Sequence, residues 1–241
     1  MLKAWLHRKL RWPSGDPEDD VRDATSDRED PLTASVFERL AYLEPDLAWD
    51  LVRATCEPLH GPPLPEARPA GLPAWSFWPR LPPGEQGRNL RHVEPDVVAT
   101  FGDVVLVVEA KHRGGQRAEP WIEEARAARA ARAFEGKRLW IVAADGMDTA
   151  AAAAQRDVFA RELGERAPGL LHLRWARLCE EIHERLRGPL PAGAAAVLRD
   201  LLAALALWGY RRRLGFDSLP RYAYRYPIRT TPADLEEWKL R

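Results

Sequence analysis

Residues 93–112 read VEPDVVATFGDVVLVVEAKH, and the fold turns on this stretch. Two runs of strand-forming residues, 92–101 and 104–112, meet at Gly102-Asp103, which is the pattern of a β-hairpin. The first run starts with Glu94-Pro95-Asp96 and the second ends with Glu109-Ala110-Lys111. Side chains alternate between the two faces of a strand, so Glu109 and Lys111 point the same way and Ala110 points away. Antiparallel pairing across Gly102 lets Asp96 lie beside Glu109. Two carboxylates and a lysine then converge at one end of the hairpin. A hard divalent cation takes such oxygen ligands, and a lysine beside it can orient or activate a water. The run from Val104 to Val108 is apolar at every position, so this strand is expected to be covered on both faces and to lie centrally.

The chain around this hairpin reads as α/β. A helix is expected from Asp30-Pro31, with Asp30 as cap and Pro31 in the first turn. Leu32, Val36, Leu40, Leu43 and Leu47 carry its apolar period until Pro45 breaks it. On that helical wheel Glu29 projects with Leu32 and Val36 towards the hairpin, and Glu38 projects roughly opposite, towards solvent. Residues 57–92 are rich in Pro and Gly and read as a long loop, with Trp75, Phe77 and Trp78 packing on the sheet edge in preference to stacking on bases. After the basic loop containing Gly114 and Gly115, a helix opens at Pro120. Its Arg126, Arg129 and Arg132 read either as a solvated face paired with Glu123 and Glu124 or as a phosphate-facing stripe. Leu139 to Ala144 is a buried strand, an alanine-rich helix capped by Asp148 or Thr149 runs to Leu163, and a further strand and short helix follow.

Three regions result. Residues 1–30 form a basic and then acidic arm and connector, 31–187 the α/β core, and 188–241 a helical extension rich in arginine and aromatic residues. Between Ala206 and Arg229 the extension sets six arginines, Arg211, Arg212 and Arg213 among them, against one aspartate, with tyrosines interleaved. Such a segment suits a polyanion, although arginines snorkelling around a helix end read the same. With 241 residues, 46% hydrophobic and 30% charged, the chain is an ordinary globular protein. A formal net charge of zero argues against nucleic-acid binding through global charge and leaves local basic patches open. Cys56 and Cys179 are too far apart in sequence to suggest a disulfide framework, no apolar run approaches a membrane span, and no signal pattern opens the chain. A reducing cytoplasm is the expected setting, with no membrane partner.

Glu94-Pro95-Asp96 followed by Glu109-Ala110-Lys111 at the end of an apolar strand resembles the signature of the PD-(D/E)XK nuclease superfamily, which includes many restriction and repair endonucleases. The resemblance covers roughly residues 29 to 187. It implies a restriction-endonuclease-like core, a central mixed β-sheet flanked by helices. It also implies Mg²⁺, for which Mn²⁺ substitutes, held by Asp96, Glu109 and the carbonyl of Ala110. Lys111 would position the attacking water and offset charge on the phosphate, and Glu29 would supply the glutamate that many members carry on the first helix. Some members carry a glutamine on the helix after the lysine, whereas Gln116 here is expected in the loop. The implied activity is endo- or exonucleolytic hydrolysis of phosphodiester bonds, in DNA first. Arg113, Arg117, Arg211, Arg212 and Arg213 are the candidate contacts to nucleic acid. Specificity would come from dimerisation or a protein partner, in antiviral defence or repair. The rival expectations are a nuclease-like fold retained as a binding or assembly subunit, and an RNA-directed nuclease.

Overall fold

A computed structural model of the protein describes residues 29–84, 91–112 and 115–211. The strands are β1 (Cys56–His60), β2 (Ala74–Phe77), β3 (Val97–Phe101), β4 (Val104–Ala110), β5 (Arg138–Ala144) and β6 (Gly169–Leu173). They form one mixed sheet in the order β1-β6-β5-β4-β3-β2. β4 pairs antiparallel with β3 and parallel with β5, and β5 is parallel to β6. The outer strands β1 and β2 are both antiparallel to their neighbours. The helices are α1 (Glu29–Leu40), α2 (Pro45–Thr55), α3 (Ala118–Ala130), α4 (Thr149–Leu163), α5 (Trp175–Arg185) and α6 (Ala194–Leu207).

The apolar run from Val104 to Val108 is buried at every position, because both faces of β4 are covered. Val105 and Val107 pack with Trp121, Ala125 and Ala128 of α3 and Phe159 of α4. Val104, Leu106 and Val108 pack on the other side with residues of α1, α2, α5 and α6. The hairpin turn uses Gly102 at φ 54°, where a Cβ would run into the carbonyl oxygen of Ala70. Pro45 opens α2 at the first turn of the helix, and the Asp148 side chain caps α4 by accepting from Ala151 N–H at 2.7 Å.

Three expectations change. Residues 57–92 are not one long loop, since β1 begins at Cys56 and β2 lies inside the segment; both are short edge strands. Glu38 is buried, at 5% exposure, and accepts a hydrogen bond from Tyr42 Oη at 3.1 Å. α6 packs along α1, a further layer that a helical wheel of α1 alone does not show. Glu124 is likewise not on a solvated face: Arg126 pairs with Glu123 at 3.2 Å, while Glu124 is buried against the sheet. The basic N-terminal residues and the arginine- and tyrosine-rich segment beyond Arg211 lie outside the described residues. Among the described residues no helix is long and apolar enough to cross a membrane. Cys56 and Cys179 are both free thiols.

Candidate active site

The site forms at the end of the hairpin away from Gly102. Val97 faces Val108 in the β3–β4 register, so Asp96 falls opposite Glu109, on the same face of the sheet. Asp96 is fixed by three hydrogen bonds. The Ala110 N–H donates to its Oδ2 at 2.8 Å, the Trp78 indole N–H to its Oδ1 at 3.2 Å, and the Trp78 backbone N–H to its carbonyl at 2.9 Å. Trp78 ends the edge strand at φ 46°, a left-handed conformation in a large side chain that also precedes proline. Such backbone costs about 1–3 kcal/mol and is held only where the surroundings dictate it.

Lys111 continues the β4 ladder by donating its N–H to Ala144 O at 2.9 Å. Its ammonium pairs with Glu109 Oε1 at 2.7 Å and with Glu29 Oε1, at the start of α1, at 2.9 Å. Burial alone would push the Lys111 pKa down. The adjoining charge of Glu109 and the hydrogen bonds that the ammonium donates to both glutamates outweigh that and raise it. Lys111 is therefore an ammonium throughout the physiological range, able to donate and unable to accept a proton. The Lys111 carbonyl accepts from Trp175 Nε1 at 3.0 Å, and the following His112 is gripped by Tyr210, whose hydroxyl donates to the His112 carbonyl at 3.2 Å.

Two further polar side chains stand behind the site, and the sequence reading gave neither a place in it. Gln116 is buried; its amide donates to the Glu109 carbonyl at 2.8 Å and its Oε1 accepts from Trp121 Nε1 at 2.9 Å. It does lie in the loop before α3, as expected, yet it braces the strand end that carries Glu109. Glu124 is 3% exposed, hydrogen-bonds Glu109, and has an Oε2 with no partner. Its signal was in the sequence: it follows Trp121 by three and precedes Ala128 by four, an acid on the buried stripe of α3. Gln116 carried no periodic signal, because it sits in a loop.

The site is strongly acidic. Burial and the Glu109 charge, with Asp30 adding to them, push the Asp96 carboxyl up to about 8, against the pull of the Ala110 N–H and Lys111. Burial and hydrogen bonding to Glu109 hold Glu124 well above the carboxylate range. Glu29, Asp30, Asp96, Glu109 and Glu124 thus face one lysine. Among the described residues no three acid, imidazole or thiol groups surround a single point as a closed cage; the acids line the site without enclosing it. The donors are nonetheless of the kind that a hard divalent cation takes. The side-chain donors are carboxyl oxygens, the acids outnumber the lysine, and one buried oxygen of Glu124 is orphaned.

Of the other residues singled out in the sequence, Ala110 enters the site through its N–H. Arg117 is exposed at the start of α3, and Arg211 is exposed just after Tyr210. Arg113, Arg212 and Arg213 lie outside the described residues. No family model matches the chain, and no curated protein and no solved structure is significantly similar to it.

Proposed function

We propose that the protein is a divalent-cation-dependent nuclease that hydrolyses phosphodiester bonds in DNA, on a restriction-endonuclease-like core. The observation that carries this reading is the meeting of Asp96, Glu109 and Lys111 at the paired ends of β3 and β4, with Glu29 brought onto the same lysine from α1. Asp96 and Glu109 would hold Mg²⁺ or Mn²⁺, with the Ala110 carbonyl as the further ligand. When bound, the cation supplies Lewis-acid stabilisation of the phosphate and lowers the pKa of a water. Lys111 is a fixed positive donor: its ammonium orients the attacking water and offsets the charge that builds on the phosphate oxygens. Glu29 anchors that ammonium from the helix side, and Gln116 anchors the main chain of Glu109. Arg117 and Arg211, both exposed, are candidate contacts for the phosphates flanking the scissile bond. Sequence choice would then come from dimerisation or a protein partner, in antiviral defence or repair in the cytoplasm.

The test incubates the purified full chain with plasmid, linear duplex, single-stranded DNA and RNA, each with Mg²⁺, with Mn²⁺ and with chelator. The expected result is cation-dependent cleavage of DNA that is lost in Asp96→Ala and Lys111→Ala. Cleavage that survives both substitutions rejects the site. No cleavage of any substrate, with cation binding unchanged in Asp96→Ala, identifies a retained fold serving as a binding subunit, and cleavage of RNA alone moves the substrate class.

A further inference from the structure

We propose that Trp78 is the positioning residue for Asp96, holding both its main chain and its carboxylate from the end of the edge strand. The inference rests on the reading of Asp96 as a cation ligand and adds a residue from outside the hairpin. One residue supplies two of the three hydrogen bonds described for Asp96, from its backbone N–H to the carbonyl and from its indole N–H to Oδ1. Ala110 N–H holds the other carboxyl oxygen, so the Asp96 side chain is fixed at both ends of its carboxyl group.

β2 runs antiparallel to β3 until Phe77 faces Val97, which places residue 78 beside Asp96. By that register an extended residue 78 would lie on the same face of the sheet as Asp96. A φ of 46° departs from that geometry in a residue that Pro79 restricts to extended backbone; the ring lies in the core cluster with Phe77, and its indole N–H reaches Asp96 from there. Unfavourable backbone that is retained beside a cluster of acids marks a functional constraint. Trp75, three residues earlier and within the strand, is the internal contrast. It packs against Phe101 at 5.5 Å in an edge-to-face contact, and its indole nitrogen is buried with no hydrogen-bond partner. The same residue type thus does packing work at 75, within the strand, and holds an acid at 78, just past its end.

Residues that orient metal ligands from behind typically change cation affinity about 10–100-fold when they are replaced. The test compares full-length wild type, Trp78→Phe, Trp75→Phe and Asp96→Ala by Mn²⁺ titration calorimetry, by cleavage over a range of Mn²⁺ concentrations and by thermal melting in chelator. Phenylalanine keeps the ring and removes only the N–H. The expected result is that Trp78→Phe melts as a folded protein, binds Mn²⁺ about 10–100-fold more weakly and recovers much of its cleavage rate at high Mn²⁺. Trp75→Phe should bind Mn²⁺ as the wild type does. Mn²⁺ affinity in Trp78→Phe equal to that of the wild type or of Trp75→Phe overturns the positioning role while leaving the nuclease reading intact. Equal Mn²⁺ binding by wild type and Asp96→Ala rejects the reading of Asp96 itself, and this inference with it.

Discussion

At the scale of single residues, the defining fact is that acids have been crowded where folding alone would disperse them. Asp96 titrates near 8 in the folded chain against an ordinary 3.8, chiefly through burial and then through the neighbouring Glu109 charge. Between those two values the folded chain keeps a proton that the unfolded chain has released. The contribution of this group to stability is therefore fully present below about pH 4 and is lost progressively as the pH rises towards 8. Glu124, raised in the same direction, adds to the trend. In chelator the melting temperature should fall between pH 5 and pH 9, and Asp96→Asn should flatten that fall. At pH 9 the variant should be more stable than the wild type by on the order of 1–3 kcal/mol, since the amide removes a charge that burial disfavours. Saturating Mg²⁺ should restore most of the loss in the wild type and little in Asp96→Asn. Melting curves that rise with pH in chelator would show that these acids are not held protonated by the fold.

At the scale of elements, the hairpin shows how one local requirement fixes the register on which the site depends. Gly102 turns the chain at φ 54°, and the space that a Cβ would enter is occupied by the backbone carbonyl of Ala70, which no side-chain rotation can relieve. Gly102→Ala should therefore destabilise the protein by about 2 kcal/mol or more, read as a drop in the urea midpoint at unchanged slope. The hairpin was legible in the sequence for that reason: a glycine between two β-branched runs, with the acids at the far ends, leaves few other pairings. β5 and α4 were legible too, one as a continuous apolar run and the other through its Asp148 cap. β1 and β2 were not. Cys56–His60 contains Pro58 and alternates weakly, and Ala74–Phe77 is four residues long, so both have the poor signals that edge strands tolerate. Glu38 failed for a different reason. Helical periodicity reports which residues lie on one side, and it cannot report that a second layer, α6, will cover the opposite side. Trp78 was read as a packing residue because β2, whose register sets it beside Asp96, was itself not legible.

At the scale of the whole molecule, the site depends on contacts that run the length of the described chain. α1 brings Glu29 to Lys111, and α1 is in turn held between the sheet and α6, with Arg39 Nε pairing with Asp200 Oδ2 at 2.5 Å. Just beyond α6, Tyr210 binds the main chain of His112 and packs edge-on against Trp175, whose own indole holds the carbonyl of Lys111. The segment after residue 188 therefore begins as part of the core. Leu198, Leu201 and Leu205 are fully buried in the cluster that includes Leu32, Val36 and Leu40. Truncating a buried leucine leaves a cavity costing about 2–5 kcal/mol, so Leu201→Ala should lower the urea midpoint by a corresponding amount. Because Leu201 is a core leucine that makes no hydrogen bond to Asp96, the same variant should weaken Mn²⁺ binding less than Trp78→Phe does. A chain ended at Gly188 exposes the side of α1 that α6 packs on and removes Tyr210 from the Lys111 segment, so it should lose its cooperative melting transition. If that shortened chain instead melts cooperatively near the wild-type temperature, α6 is an appendage and the support it gives to Glu29 is incidental. Hydrogen exchange separates these outcomes, because the amides of α1 should be as protected as those of β4 only when α6 is part of the same cooperative unit.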